Sequence, residues 1–434
     1  MPRAIEPAPP LANDAALPWH APVDDAVEVI AAARERHGDT FRIEHTDAHG
    51  SDRYLFTFSP VGVASFYALR EEEASKGVAD YLMLRRKLPG EIFDGRRTLP
   101  GALFGRDDVA RYLANLDLAL DRTVEELAEL SARGTDEHDV FALTRRLGHR
   151  LGLASWAGRG ALEPAVFERL SAAFDELDGA DAFVRPEAMR AVEASGHAAE
   201  RAALDDIVAV VGELVPTEDD VLFGRIVDAW SDEPPADRAR GVGLDVALVH
   251  VASMSNMHAA LGWMLVDLLE HPAALDRVRS GDAAYASSCA LESTRLAQRS
   301  IMARTVMSEV DLDVGDAVYR VPPGWTIATL LPVLNTTAAP GLEQWDPERW
   351  QGHRLAPTPG LDDARLVTAF GHGRHTCPAQ PFSLTAMARA AHRITAEFDI
   401  APAWDGRPVP RPAQIGGVAR ASALAPVRCV PRGV

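Results

Sequence analysis

The stretch that decides the fold of this chain reads Phe370-Gly371-His372-Gly373-Arg374-His375-Thr376-Cys377. It places a cysteine in a glycine-loosened loop, directly before a predicted helix that begins near Pro378, a residue typical of a first helical turn. A metal-bound cysteine is a thiolate. Backbone N–H groups around the sulfur and the positive end of a following helix lower the pKa of such a thiol. Cys377 is therefore a candidate thiolate ligand of an iron, with Phe370 covering the sulfur.

Two interpretations of Cys377 follow from the residues. A single cysteine is often a buried core thiol, because the free side chain behaves as a small hydrophobic group. The spacing Phe370-x-x-Gly373-x-x-x-Cys377 instead resembles the cysteine-ligand loop of the cytochrome P450 family. In that family the cysteine binds haem b, and the residue two positions before it, here His375, reaches a haem propionate. The chain departs from the family at Ala379, where a glycine is usual.

Two further segments carry the same resemblance. Glu292 and Arg295 lie three residues apart in a predicted helix and share one face, a spacing that alone is typical of an exposed pair of little energetic value. Asp346-Pro347-Glu348-Arg349-Trp350 resembles the Pro-Glu-Arg-aromatic segment of the family, whose arginine joins the helical acid and arginine in a buried triad behind the haem. The resemblance therefore implies a structural triad of Glu292, Arg295 and Arg349.

Position in the chain implies two more contacts to the cofactor. Arg304 lies in an extended stretch after the Glu-x-x-Arg helix, where the family commonly keeps an arginine for a propionate; an exposed strand arginine is the alternative. Tyr81 falls in the region that lies over the haem in the family, and the resemblance implies that it binds a propionate or an acidic group of the substrate. The alternative is that Tyr81 is exposed on a mobile loop. The predicted haem-binding residues are Cys377, as the metal ligand, with His375, Arg304, Phe370, Gly371, Gly373 and Tyr81.

The segment 242–270 is apolar with few breaks, which predicts a long, largely buried helix of about 40 Å that ends at His271-Pro272. In oxygen-activating members of the family, the middle of this helix has an acid followed by a threonine, which deliver protons to dioxygen. Ser255 and Asn256 take those places here. A serine has no charge with which to gather a proton, and the side chain of an asparagine does not titrate. Ser255 and Asn256 are therefore the predicted catalytic residues of a site without the usual proton relay.

The pattern Ala252-x-x-x-Asn256-Met257, followed by two alanines and Trp263, resembles the corresponding helix of the prostacyclin synthases within this family. The related steroid hydroxylases that act on bile-acid precursors also have an asparagine there, and they are true monooxygenases. A purely structural alternative is that Asn256 is a helix-kink residue bonded to a neighbouring carbonyl.

Three functions stay open at this point. The leading hypothesis is a haem-thiolate enzyme of small-molecule, secondary metabolism that cleaves and rearranges an O–O or N–O bond of its substrate. The alternatives are a conventional NAD(P)H- and ferredoxin-dependent monooxygenase that hydroxylates a lipophilic substrate, and a non-catalytic haem protein that binds a ligand. An apolar pocket with few polar groups suits a lipophilic small molecule. Its predicted lining residues are Met254, Met257, Ser300, Ile301 and Met302.

Composition limits the fold class. The 434 residues are 47% hydrophobic, with no linker, low-complexity tract or internal repeat. We therefore expect an extended segment over residues 1–22 and a single domain over residues 23–434, which the resemblance implies is a haem-thiolate domain. Helical patterns with a few strands near residues 40–60 and 300–330 predict a mainly α fold with small β-sheets. The resemblance implies that this is the P450 fold.

Charge and cysteine content limit location and partners. The net charge of -19 argues against nonspecific binding of nucleic acid, which requires a basic face. The N-terminus has no apolar run suited to a signal peptide or membrane anchor, and three cysteines without a Cys-x-x-Cys motif fit a reducing cytosol. We expect a cytoplasmic monomer that binds a lipophilic substrate and, if it is a monooxygenase, a ferredoxin and its reductase.

Overall fold

Helices form most of the secondary structure in this computed structural model, which describes residues 5, 6, 8–47, 50–95, 97, 98, 100–179 and 186–433. In chain order the helices are α1 (Ala26–His37), α2 (Pro60–Ala68), α3 (Lys76–Leu84), α4 (Pro100–Leu103), α5 (Val109–Ala132), α6 (Val140–Trp156), α7 (Pro164–Leu177), α8 (Pro186–Ala194), α9 (Ala198–Glu213), α10 (Val221–Asp228), α11 (Pro235–Glu270), α12 (Pro272–Arg279), α13 (Ala283–Ala297), α14 (Leu331–Thr337) and α15 (Gln380–Glu397).

The strands are short and form four small sheets. In chain order they are β1 (Ile5–Glu6), β2 (Thr40–Asp47), β3 (Gly50–Thr57), β4 (Ala74–Ser75), β5 (Glu137–Asp139), β6 (Ile301–Val306), β7 (Val310–Asp313), β8 (Val318–Val321), β9 (Thr326–Leu330), β10 (Trp350–Gln351), β11 (Arg354–Leu355), β12 (Phe398–Pro402) and β13 (Pro426–Pro431). The sheets have the orders β2-β3-β9-β6-β4, β1-β8-β7, β12-β13-β5 and β10-β11. The prediction of a mainly α chain with small β-sheets is confirmed, and the described residues form one compact domain.

The long helix α11 runs through the main core and packs against α6, α9, α13 and α15. Its 36 residues correspond to about 54 Å at 1.5 Å per residue. It starts at Pro235 rather than at residue 242, because proline suits a first helical turn and two polar turns precede the apolar run. Close approach of α6 requires a glycine, since a Cβ on Gly152 would lie 2.5 Å from the Met254 side chain.

The N-terminal half agrees with the helix and strand pattern of the sequence. Helix α1 begins after Asp25, whose carboxylate accepts hydrogen bonds from the N–H groups of Val27 and Glu28. The first described residues pack on the rest of the chain: β1 pairs with β8, and Leu17 and Trp19 are buried in a core beside β2 and β3. No helix among the described residues has a stretch long and apolar enough to cross a bilayer.

Candidate active site around Cys377

A cavity of about 580 Å³ lies beside Cys377, and we call it the cysteine cavity. Its walls come from α11, from the loop that precedes α15, and from the segment that joins α13 to β6. Cofactor and ligand pockets commonly have roughly 300–1,000 Å³. A second cavity of about 400 Å³, the adjoining cavity, shares part of this wall. The shared residues are Lys76, Asp80, Ala252, Asn256, Ser300, Met302 and Val418.

Two glycines give the cysteine loop its shape. The N–H of Cys377 donates to the Phe370 carbonyl at 2.8 Å, which closes the loop over the intervening residues. Gly371 has a φ of +81°, and a Cβ there would lie 2.5 Å from the His375 carbonyl oxygen. Gly373 has a φ of +57°, a conformation that side-chain-bearing residues rarely adopt. Both glycines are therefore required by the backbone, as the sequence predicts for Gly373.

The sulfur of Cys377 faces the start of α15. Burial raises the pKa of this thiol, while the N–H groups of Ala379 and Gln380 and the ammonium of Lys76 act in the opposite direction. The N–H groups are those expected around a thiolate ligand, and a metal ion at the sulfur would supply the remaining positive charge. Ala379 has φ and ψ of -83° and 1°, so that its Cβ needs no glycine conformation. The departure from the usual glycine therefore leaves this turn unstrained.

Arg304 and His375, far apart in sequence, are in contact. Arg304 donates from Nη1 to Nε2 of His375 at 2.8 Å, and it also donates to the carbonyls of Ala74 and Leu69, each at 2.6 Å. Only 1% of Arg304 is exposed, so it is not an exposed strand arginine. His375 lines the cysteine cavity, and Arg304 reaches the cavity wall through it. The structure thus joins the two residues predicted to bind propionates into one hydrogen-bonded pair, and Arg304 also contacts the Glu71 carboxylate at 3.4 Å.

Tyr81 and Met254 do not line either cavity. Tyr81 lies on the outer side of α3, where its ring packs edge-on against Phe93 at 4.9 Å. Lys76 and Asp80 of the same helix, an ion pair, line both cavities instead. Met254 points from α11 toward Gly152 of α6 and contributes to neither cavity wall. A helix that is apolar on all sides gives no periodic signal for the face that meets a cavity.

The other predicted pocket residues do line the cavities. Met257 lies on the cysteine cavity, Ile301 on the adjoining cavity, and Ser300 and Met302 on both. Sequence reasoning missed Ala252, which is on the same face of α11 as Asn256, one turn earlier. The i, i+4 spacing from Asn256 could have identified it.

Glu292, Arg295 and Arg349 are brought together as the sequence predicts. Arg295 donates to both carboxylate oxygens of Glu292, from Nε at 2.8 Å and from Nη2 at 2.7 Å, and Arg349 donates from Nε at 3.1 Å. Trp350 Nε1 and the N–H of Asp346 donate to the same carboxylate at 2.8 and 3.1 Å. Glu292 and Arg295 are 0% exposed, so they are not an exposed pair. Glu292 holds α13 and the segment before β10 together.

Two buried polar residues that sequence reasoning missed connect this triad to the cysteine loop. Asn335 Nδ2 donates to the carbonyls of Arg295 and Thr368, each at 2.9 Å. Thr368 Oγ1 accepts hydrogen bonds from the N–H groups of Phe370 at 3.2 Å and Gly371 at 2.7 Å. The sequence signal for them is weak, because Asn335 directly follows the apolar residues of α14 and begins its polar end.

Asn256 of α11 is held by the chain near its C-terminal end. Its Oδ1 accepts a hydrogen bond from the N–H of Val418 at 2.8 Å, and a Cβ on Gly417 would lie 2.5 Å from the same oxygen. Because an N–H group fixes Oδ1, the amide orientation is defined and Nδ2 is the donor left for the cavities that Asn256 lines. The described partner of the Asn256 side chain is thus a main-chain N–H group.

Ser255 lines the adjoining cavity and not the cysteine cavity. Its hydroxyl donates to Asp178 Oδ2 at 2.7 Å. Arg420 Nη2 donates to the same oxygen at 2.6 Å, and the Lys87 ammonium contacts the other oxygen. Burial opposes ionisation of Asp178, but Lys87 and Arg420 outweigh it and hold the pKa of the carboxyl far below its usual range. We call Lys87, Asp178 and Arg420 the buried charge cluster.

The sequence offered no signal for the buried charge cluster, because its members come from the end of α3, the end of α7 and the chain after α15. The described residues contain no group of three or more His, Cys, Asp or Glu side chains that could hold a metal ion. His372, His375 and Cys377 therefore do not form such a group. A metal at Cys377 would need ligands from elsewhere, such as a macrocycle.

Comparisons with known proteins add nothing to this geometry. No protein-family model matches the chain, and a search of curated proteins found no similar sequence.

Proposed function

We propose that this protein is a haem-thiolate enzyme of the cytochrome P450 type, which cleaves and rearranges an O–O or N–O bond already present in a lipophilic small molecule of secondary metabolism. One observation carries the proposal. Cys377 and Asn256 line the same cavity of about 580 Å³, one from the loop before α15 and the other from the middle of α11. A thiolate ligand and a fixed amide donor thus border one space.

The residues of the cysteine cavity fit haem b. Cys377 offers a single sulfur ligand, and the hydrogen-bonded Arg304 and His375 would bind a propionate. The buried hydroxyls of Thr294, on the cavity wall, and of Tyr67, whose ring lies 5.9 Å from that of His375, have no hydrogen-bond partner within the described ranges. A bound group with polar edges would satisfy them. When bound through a thiolate, haem supplies an electron-rich iron that favours O–O cleavage.

Asn256 would position the substrate and leave it unprotonated. Val418 fixes its Oδ1, so that Nδ2 can donate a hydrogen bond to an oxygen of the substrate. An amide N–H does not release its proton near neutral pH. The oxygen is therefore oriented by a neutral donor, which suits a bond that breaks without proton delivery.

The carboxylate beside Ser255, that of Asp178, is held as an anion. Asp178 accepts hydrogen bonds from Ser255 and Arg420 and contacts Lys87, and these cations keep its pKa far below the usual range. A carboxylate stabilised in this way is a poor proton donor. The arrangement therefore supports cleavage of a bond that is already present in the substrate.

Anaerobic turnover without reductant tests the proposal. Purified ferric protein is given a panel of lipophilic hydroperoxides, endoperoxides and N-acyloxy arylamines, and the products are identified by mass spectrometry. We expect rearranged products from the wild type, none from Cys377→Ser, and unchanged turnover in Cys429→Ser, whose cysteine is buried in β13. Products that appear only with electrons and air would overturn the proposal.

A conventional monooxygenase is the second candidate, because Ser255 brings the carboxylate of Asp178 to the place on α11 where the family has its acid. Under this reading, turnover requires dioxygen and a ferredoxin, and Asp178→Asn slows it. Asn256→Thr would then lower the reductant wasted per product. If Asn256→Thr instead raises oxygen-dependent reductant consumption, the first proposal is supported. A wild type that is inactive in both assays yet has a thiolate-type ferrous carbon monoxide spectrum would be a ligand-binding protein.

A further inference from the structure

The buried charge cluster forms part of the wall of the adjoining cavity. The side chains of Lys87 and Asp178 are 6% and 8% exposed, and that of Arg420 is 18% exposed. Charged groups are rarely buried to this extent, because removal from water costs several kcal/mol per ion unless partners compensate. A cluster of this kind on the wall of a pocket therefore calls for a ligand-related explanation.

Arg420 has donors left for a ligand. The described hydrogen bonds of its guanidinium run from Nη2 alone, to the main-chain carbonyl of Asp178 at 3.0 Å and to Oδ2 at 2.6 Å. A guanidinium has five N–H donors in a planar fork, which matches a carboxylate. Burial lowers the pKa of both Arg420 and Lys87, so that an additional anion at this point would stabilise both cations.

Apolar side chains line much of the adjoining cavity. They are those of Leu84, Leu88, Leu248, Val251 and Ile301. The adjoining cavity then meets the cysteine cavity at Ala252, Asn256 and Met302. A ligand that follows this course has an anionic end at Arg420, an apolar body, and a remote end near Asn256.

We propose that Arg420 and Lys87 bind the carboxylate of an elongated lipophilic carboxylic acid, whose apolar body extends past Asn256 toward Cys377. This inference deepens the proposed function, since it names the substrate class of the same site. The carboxylate serves as an anchor, so the bond that reacts lies away from it and the acid group is retained in the product. Asp178 positions the two cations.

Isothermal titration calorimetry on the purified protein tests this with decanoate, decan-1-ol and decyl phosphate as probes. We expect the wild type to bind decanoate at least about tenfold tighter than decan-1-ol, corresponding to one charge-assisted contact. Arg420→Gln should bring this ratio close to one, and Arg420→Lys should retain part of it. Arg389→Gln, which removes an exposed arginine paired with Asp117, is the matched control and should leave the ratio unchanged.

The wild type alone can refute the inference, which matters if Arg420→Gln folds poorly. Equal affinity for decanoate and decan-1-ol would overturn it, and tighter binding of decyl phosphate than of decanoate would assign the site to a phosphate ester instead. Because no turnover is measured, the result is separate from the proposed function. A preparation with the thiolate spectrum but no preference for decanoate fails only this inference, and the reverse result fails only the proposed function.

Discussion

Asn335 and Thr368 bind each other reciprocally: Asn335 Nδ2 donates to the Thr368 carbonyl, and the Thr368 N–H donates to Asn335 Oδ1, each at 2.9 Å. The pair links α14 to the strand-like segment that enters the cysteine loop. Since Asn335 also donates to the carbonyl of Arg295, the loop that presents Cys377 is connected to the Glu292 network through fully buried hydrogen bonds. The position of the cysteine is thus fixed from behind the loop.

Thr368→Val removes the hydroxyl that accepts the N–H groups of Phe370 and Gly371. We expect a loss of about 2 kcal/mol in the free energy of unfolding, because two partly buried donors lose their acceptor. Urea denaturation measures this. Thr385→Val, which removes a hydroxyl bonded within α15, is the control and should cost less than about 1 kcal/mol. Equal losses in the two variants would contradict the role assigned to Thr368.

Glu292→Gln keeps the shape of the side chain but removes the charge that faces Arg295 and Arg349. We expect a loss of about 3–5 kcal/mol, because the variant leaves buried cations without their counter-ion. The measurements are urea denaturation and the haem content of the purified protein, and both should fall. Glu348→Gln, an exposed pair with Arg277, should change stability by less than about 1 kcal/mol. Fully loaded, stable Glu292→Gln protein would disprove the role of the triad.

The sequence predicts those parts of the site that short motifs encode. Glu292 and Arg295 are one helical turn apart, and the loop from Phe370 to Cys377 is shaped by glycines at fixed positions, so local geometry specifies both. The family resemblance alone predicted that Glu292 and Arg295 are buried with Arg349, and it alone predicted a shared role for Arg304 and His375.

The rest of the site depends on tertiary packing. Asp178 and Arg420 meet although 242 positions separate them in the chain, and neither lies in a recognisable pattern. The outward placement of Tyr81 and the inward placement of Met254 likewise depend on which neighbours pack on α3 and α11. A helix such as α11, buried on most sides, carries no amphipathic signal from which these orientations could be derived.

Gly417→Ala should displace Asn256. The added methyl group would lie 2.5 Å from Asn256 Oδ1, and the φ of +64° adds a backbone cost of roughly 1–2 kcal/mol. We expect reduced product formation from hydroperoxides, because Nδ2 is no longer oriented. Gly406→Ala, with nothing within 4 Å of the new methyl group, should behave as the wild type.

A double-mutant cycle isolates this contact. In an Asn256→Ala background the atom that clashes is absent. Gly417→Ala should then reduce the free energy of unfolding only by the cost of placing an alanine at a positive φ. The same loss of turnover and stability in both backgrounds would show that Gly417 acts independently of Asn256.

Because of two buried histidines on α11, we expect the protein to lose stability at acidic pH. Burial lowers the pKa of His250 and His258 well below 6.5, while Arg145 and the ring of His149 add to the effect and Asp178 opposes it. The folded protein therefore keeps both rings neutral, whereas the unfolded chain protonates them near 6.5. Since the unfolded state binds more protons, the stabilisation is complete above that pH and is lost as the pH falls below it.

We expect each histidine to reduce the free energy of unfolding by about 1.4 kcal/mol for each pH unit below its unfolded pKa. The measurement is urea denaturation at about pH 7.5 and about pH 5.5. The free energy of unfolding should fall less between these two pH values in His258→Gln than in the wild type, because one of the two buried histidines no longer contributes. His353→Asn, which replaces an exposed histidine in the turn between β10 and β11, should leave the difference as in the wild type. If His258→Gln loses as much stability on acidification as the wild type, His258 is already protonated in the folded protein.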